Sequence, residues 1–285
     1  MTILKNISID GSKNKPILLD VFYNNNGVAK PIVIFSHGFK GFKDWGHFDE
    51  VAKQFAEAGF VFIKFNFSHN GTTAADPLNF GDLEAFGHNN YVIELDDLKL
   101  VIDWSLSTEH LKTDINAHQL YLLGHSRGGG ITILKAGEDT RVKKIVTWAS
   151  VSDFINRNKQ RTIDTWKQEG VVYAMNGRTK QNMPMYYQFY QTILENKERL
   201  NINHAVKRAN IPFLIIHGTA DEAVAYHDAE ELKKSAKQGL LFTVLNGDHT
   251  FGVKHPFNGI IPNDAKQVIE KTIKFLNQDA SVSHP

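Results

Sequence analysis

The sequence predicts an α/β protein built on a mostly parallel, doubly wound sheet, and three observations carry that reading. Apolar runs of strand length recur along the chain, as at residues 31–36 (PIVIFS) and 212–217 (PFLIIH). They are apolar throughout rather than alternating, which is how a strand buried on both faces reads. Segments with helical spacing of apolar residues lie between them, and residues 119–130, QLYLLGHSRGGG, pass from a strand pattern through a sharp turn into a helix pattern.

Taken in order, residues 3–9 alternate, Asp10-Gly11 marks a turn and residues 17–23 are again β-prone, so the chain opens with an antiparallel pair. Residues 31–36 form the first fully buried strand. Phe48, Val51, Ala52 and Phe55 recur at helical spacing, and Gly59 stands where a helix would stop. Residues 60–67 return as a strand, which gives a right-handed parallel crossover. Residues 68–90 form a connection longer than packing needs, of the kind that lines a site. Residues 91–104 are helical, 120–123 form the strand before the turn, 131–135 lie on the helix after it, and 144–149 give another buried strand. Between 150 and 210 the rhythm breaks into aromatic and polar residues without a clear strand, read as an inserted helical cap or lid. Its aromatics are expected mostly to pack the insertion down, with a minority facing a pocket. The rhythm resumes with a strand at 212–217, a helix at 226–236, a strand at 240–245 and an amphipathic helix at 263–276. The expected organisation is a core in two parts, 1–150 and 211–278, a cap at 151–210 and a flexible tail at 279–285.

The 285 residues carry a net charge of +1 with both signs interspersed, and no basic block with interleaved aromatics occurs. Nucleic acid is therefore not an expected partner. The absence of cysteine excludes a thiol nucleophile, thiolate metal sites and disulfides. No H-E-x-x-H motif or carboxylate cluster argues for a metal, and no cofactor is expected. The first residues lack the unbroken apolar core of a signal peptide and no stretch is long enough to span a bilayer, so the expectation is a soluble, cytoplasmic protein without a membrane partner. The oligomeric state stays open, a homodimer included.

The turn reads Gly124-His125-Ser126-Arg127-Gly128, a G-x-S-x-G pattern. A serine held on so tight a turn needs neighbours two before and two after that are nearly without side chains. The helix beginning at the serine presents the unpaired N–H of Arg127 and the positive end of its dipole to whatever Ser126 attacks. A serine hydroxyl also needs a base, and the base an orienting acid, both in turns that follow strands at the same sheet edge. Asp221 follows the strand ending at His217, and His249 follows the strand ending at residue 245. Of the thirteen histidines, His255 is the rival base. Glu222, Asp248 and Asp153 are rival acids, Asp153 being otherwise an N-cap for the first cap helix. His37 and His125, beside glycine at strand ends, read as structural histidines.

Together the motifs HGF at His37, GHSRGG at Ser126, HGTADEAV at Asp221 and GDHTF at His249 resemble the α/β-hydrolase superfamily over nearly the whole chain. The similarity is nearest to cinnamoyl/feruloyl esterase-like, dienelactone-hydrolase-like and serine aminopeptidase-like enzymes. The resemblance implies an α/β-hydrolase fold with Ser126 as nucleophile, Asp221 as acid and His249 as base, and the backbone N–H groups of Phe39 and Arg127 as an oxyanion hole. Two places depart from the pattern. Residues 67–73 read FSHNGTT where relatives carry an arginine-glycine turn, and Arg127 stands where glutamine or an apolar residue is usual. Its side chain is expected to be solvated, with contact to a substrate carboxylate as the alternative. The expected activity is hydrolysis of a small-molecule carboxylic ester with a small or aromatic acyl group. The alternatives are a peptidase or amidase of the serine aminopeptidase type and a binding protein that keeps the fold without catalysis.

Overall fold

A computed structural model describes residues 1–278, so the tail expected at 279–285 lies outside the described residues. The elements run β1 (Thr2–Asp10), β2 (Pro16–Tyr23), β3 (Lys30–Ser36), α1 (Phe48–Glu57), β4 (Val61–Asn66), α2 (Leu83–His88), α3 (Tyr91–Ser107), β5 (Ile115–His125), α4 (Arg127–Glu138) and β6 (Val142–Trp148). They continue with α5 (Gln160–Glu169), β7 (Val171–Met175), β8 (Asn182–Tyr186), α6 (Gln188–Glu195), α7 (Ile202–Ala209), β9 (Phe213–Gly218), α8 (Tyr226–Ser235), β10 (Gly239–Val244) and α9 (Asn263–Asn277). No helix among them is long and apolar enough to cross a membrane.

Eight strands form one sheet in the order β1-β2-β4-β3-β5-β6-β9-β10. β1 and β2 are antiparallel to each other, β2 is antiparallel to β4, and every later pairing is parallel. The period-two geometry of a strand explains why β3 is apolar throughout. Ile32 and Ile34 point into one core, shared with α3, α4, α7 and α8, while Val33 and Phe35 point into the other, shared with α1 and α9. The sheet is thus covered on both faces, and each fully buried aliphatic or aromatic side chain of this kind contributes about 1.5–3 kcal/mol.

Two local differences from the sequence reading have physical causes. The connection at 68–90 holds a short helix, α2, whose start is fixed by Asp82 accepting the Ala85 N–H at 2.9 Å. The segment 151–210, expected to be helical, contains the antiparallel ribbon β7-β8, with Val171 opposite Tyr186 and Met175 opposite Asn182. Val171, Val172 and Tyr173 are β-branched or aromatic, and Asn176 closes the ribbon by accepting the N–H groups of Arg178 and Thr179. β8 packs against α2, and Trp166 of α5 donates its indole N–H to the Met185 carbonyl at 2.6 Å. Phe154, Trp166, Met183 and Phe189 are buried and Met185, Tyr187 and Tyr190 pack partly buried against the core, whereas Tyr173 and Met175 are exposed.

A charge network lies under the loop that follows β3. The register of β2 on β4 places Asp20 opposite Lys64, both fully buried. Asp20 Oδ2 accepts from Lys43 at 2.8 Å and forms an ion pair with Lys64 at 2.9 Å, and its Oδ1 accepts the Asn6 N–H at 2.8 Å. Lys64 also pairs with Asp44, and with Asp49 at 2.6 Å. Burial alone would raise the Asp20 pKa, but the two ammonium groups outweigh it and hold the carboxyl well below its ordinary range. Asp20→Asn would remove the one fully buried carboxylate between the Lys43 and Lys64 ammonium groups, leaving them only the less buried Asp44 and Asp49, and we expect a loss of about 1–3 kcal/mol, read as a lower denaturant midpoint.

Candidate active site

The turn at Ser126 is a steric consequence of glycine. Ser126 adopts φ 56° and ψ −120°, a conformation costly for any residue with a side chain. It is tolerated because the flanking backbone comes very close. A Cβ on Gly128 would lie 2.2 Å from the Ser36 carbonyl oxygen and 2.4 Å from that of His37, and one on Gly124 would lie 2.3 Å from the Gly128 carbonyl oxygen. The end of β3, the end of β5 and the start of α4 are thereby pressed together. The Ser126 N–H donates to the Trp148 carbonyl of β6 at 2.9 Å, which fixes the elbow from the other side.

The same approach brings the turn after β3 against the serine, since a Cβ on Gly38 would stand 3.0 Å from Ser126 Cβ. Phe39 follows directly. Neither its backbone N–H nor that of Arg127 has a hydrogen-bond partner among the described residues. The turn is closed by Gly41 N–H to the Gly38 carbonyl at 3.0 Å and tied to β4 by Lys43 N–H to Asn66 Oδ1 at 2.6 Å.

Asp221 and His249 arrive from the turns after β9 and β10. His249 Nδ1 lies 2.7 Å from Asp221 Oδ2, so the ring donates there and Nε2 is left as the acceptor. The other oxygen of Asp221 accepts the N–H groups of Ala223 and Val224, both at 2.9 Å. Burial would raise this carboxyl, but hydrogen bonds from His217, His249 and the Val224 N–H prevail and keep it well below the usual carboxylate range. Ser126 and His249 both line two adjoining cavities. One of about 210 Å³ lies toward Trp45, Phe48 and Asn176, and one of about 410 Å³ lies toward Tyr91, Phe154 and Val224.

The rivals lie elsewhere. His255 Nδ1 accepts the Gly46 N–H at 3.0 Å, and its ring packs on Phe42 and Trp45. Asp248 accepts from Thr250 and Gly252 within its own loop, and Glu222 is exposed. Asp153 caps no helix. It accepts the Ile155 N–H at 2.7 Å in a local turn, and α5 begins only at Gln160. His37 and His125 serve the backbone: His37 Nδ1 donates to the Gly38 carbonyl at 2.9 Å while Nε2 accepts from Phe67, and His125 Nε2 donates to the His249 carbonyl at 2.9 Å.

Three features escaped the sequence reading. His217, fully buried, places Nε2 3.2 Å from Asp221 Oδ2 and 3.0 Å from the Val224 carbonyl, so the Asp221 carboxylate is held from two sides. Its signal was its place before Gly218 at a strand end, like His37 before Gly38. Arg127 is not solvated: its guanidinium sits 4.0 Å from the Phe39 ring centroid and 5.2 Å from that of Tyr91, with Nη1 3.3 Å from Glu94 Oε1. Burial raises the Glu94 carboxyl, and its Oε2 has no hydrogen-bond partner among the described residues. Finally, Asp20, Asp44 and Asp49 do form a carboxylate cluster with ligand atoms within 4.8 Å of one another. The ammonium groups of Lys5, Lys43 and Lys64 already lie against it, so these carboxylates are engaged with cations and do not fit a metal.

An eight-stranded, mostly parallel sheet with a strained serine at the end of its central strand, and a histidine–aspartate pair delivered by the last two strands, defines the class: an α/β-hydrolase. The chain belongs to the BD-FAE family of esterase-like α/β-hydrolases, whose model matches residues 19–236. It is 27% identical over 144 residues to an Escherichia coli protein described as an uncharacterized 31.7 kDa protein in the traX-finO intergenic region. That match covers 50% of this chain and 46% of the relative, so the chain spans about half the length of the curated relative it matches. In structure it is similar to Est1E from Butyrivibrio proteoclasticus with ferulic acid bound, at TM-score 0.71 and 18% identity over 95% of this chain and 97% of that one. It is also similar to the esterase domain of a Rhodothermus marinus protein, at TM-score 0.64 and 18% identity over 96% and 98% of the two chains. At these identities the similarity is one of fold.

Two expectations test the site as built. Gly128→Ala forces a contact with backbone that cannot yield and should destabilise by about 1–3 kcal/mol, whereas Gly177→Ala, with open space around it, should leave the thermal midpoint unchanged. His37, His47 and His69 are each held down to about 4 from the ordinary 6.5, in every case first by burial. A histidine depressed in the folded state contributes stability that is complete above the unfolded pKa and lost as pH falls toward the folded one. Stability should therefore start to decline below about pH 6.5 and fall steadily toward pH 4, as measured by denaturant titrations at successive pH values.

Proposed function

We propose that the protein hydrolyses carboxylic esters through an acyl-enzyme on Ser126. The observation that carries this reading is the His249 Nδ1 to Asp221 Oδ2 contact at 2.7 Å, beside a strained serine that shares two cavities with His249. Asp221 holds the imidazole in the tautomer whose Nε2 accepts a proton. Ser126 Oγ attacks the ester carbonyl carbon and its proton passes to His249. The oxygen of the tetrahedral intermediate is met by the N–H groups of Phe39 and Arg127, with the first turn of α4 adding its dipole. The protonated imidazole then gives its proton to the departing alkoxide. Water attacks the acyl-serine in the second half of the cycle, with His249 again as base, and the carboxylic acid leaves.

The two cavities flanking Ser126 suit the two halves of an ester. The larger, with Tyr91 and Phe154 in its wall, has room for a small or aromatic group. Membership of an esterase-like family, and fold similarity to Est1E with ferulic acid bound, support ester over amide as the scissile bond.

Ser126→Ala should lower turnover by roughly 10⁴- to 10⁶-fold and abolish labelling by a fluorophosphonate probe. Substrate is settled by a panel of p-nitrophenyl and hydroxycinnamate esters set against aminoacyl anilides. We expect turnover of the esters. Faster turnover of the anilides, or undiminished activity in the alanine variant, would refute the assignment.

A further inference from the structure

The ester-hydrolase reading leaves the charge of the larger cavity unexplained. Besides Ser126 and His249, its wall contains Lys40, Arg127 and Arg157 and no carboxylate. Behind the wall, Arg127 is met by Glu94 at 3.3 Å, and Arg157 by Asp228 at 3.2 Å. Asp228 Oδ1 is shared, since it also accepts the N–H and hydroxyl of Ser152 at 2.7 and 2.8 Å. Lys40 has no acidic partner among the described residues. Its ammonium donates to the Met175 carbonyl at 2.8 Å and lies 5.5 Å from the Phe39 ring centroid.

Three cations thus face two acids, and one acid is weakly committed: Glu94 is buried, its carboxyl is raised by that burial, and one of its oxygens has no partner among the described residues. Protonation of Glu94 would leave Arg127 uncompensated as well. The cations also feel one another. Lys40 is lowered first by burial and then by the positive charge of Arg127. Like charges gathered on an apolar wall repel, and an anion entering the space between them relieves that repulsion while gaining charge-assisted hydrogen bonds.

We propose that the larger cavity beside Ser126 is an anion-binding subsite, and that the preferred esters carry a carboxylate in the half of the molecule that occupies it. This rests on the ester-hydrolase reading and adds a substrate class to it. An uncharged substrate would leave the three cations facing each other, whereas the monoester of a dicarboxylic acid places its free carboxylate among them.

The test compares kcat/KM for monomethyl adipate and methyl hexanoate, which share a six-carbon acyl chain and differ in the terminal carboxylate. The protein should prefer the charged ester by roughly 10- to 100-fold. Lys40→Gln and Arg157→Gln should each reduce that ratio several-fold, and the ratio in the unmodified protein should shrink as salt rises from about 0.05 to 0.5 M. The ratio within one protein sample is insensitive to the fraction that is folded. Hydrolysis of both esters with a ratio near one, or a preference that neither variant nor salt alters, overturns the anion subsite and leaves the ester-hydrolase reading standing. Hydrolysis of neither ester, nor of any ester in the hydroxycinnamate panel, defeats that underlying reading instead.

Discussion

Contact between bare backbones at the elbow is the constraint on which everything else in this site depends. Gly128 sits against the carbonyls of Ser36 and His37, and Gly124 against that of Gly128, at separations that exclude a single methyl group. The peptide planes themselves bring the serine against the turn after β3, and the Arg127 guanidinium stacked on the Phe39 ring adds a side-chain contact between the same two segments. The strain of φ 56° at Ser126 is held in place by three adjoining strands, β3, β5 and β6, rather than by flexible contacts.

The surroundings of Asp221 and His249 are built in the opposite way, from side chains that satisfy backbone. Three of the strands that end at this edge, β3, β5 and β9, carry a histidine within one position of their last residue, and each binds a carbonyl of a loop: His37 that of Gly38, His125 that of His249, His217 that of Val224. Loop carbonyls at a sheet edge would otherwise be only partly solvated. A neutral imidazole donates to them without burying a full charge, at the expense of being hard to protonate, which fits the downward shifts of His37 to about 4 and of His125 to about 3, each due first to burial. His249 gives Nδ1 to the Asp221 carboxylate, which His217 also contacts, but it alone of these four histidines lines both cavities beside Ser126, and that position separates the proposed base from its structural neighbours.

The sheet core was legible because strands covered on both faces are mostly apolar: residues 31–35, 120–123 and 212–216 are unbroken apolar runs, whereas the buried Asp20 and Lys64 of β2 and β4 interrupt theirs. The motifs at Ser126, Asp221 and His249 were legible for a related reason, since a turn this tight admits few residue types. What could not be read depends on meetings between distant segments. The burial of Arg127 requires Phe39, Tyr91 and Phe189 to come together from three separate elements. The Asp20–Lys64 pair exists only through the register of β2 on β4, and single lysines and aspartates in a sequence read as solvated surface. The ribbon β7-β8 was hidden because its strands are short and partly exposed, so neither alternation nor a buried run marks them.

The bond from Lys40 to the Met175 carbonyl joins the residue next to Phe39 to the last residue of β7. The ribbon and the turn after β3 are therefore not independent parts. Asn176, one position further along, lines the smaller cavity beside Ser126, and Lys40 lines both cavities. The tip of the ribbon and the turn after β3 therefore form one continuous stretch of wall, and a change of sequence in the ribbon reshapes the chamber without touching Ser126, Asp221 or His249.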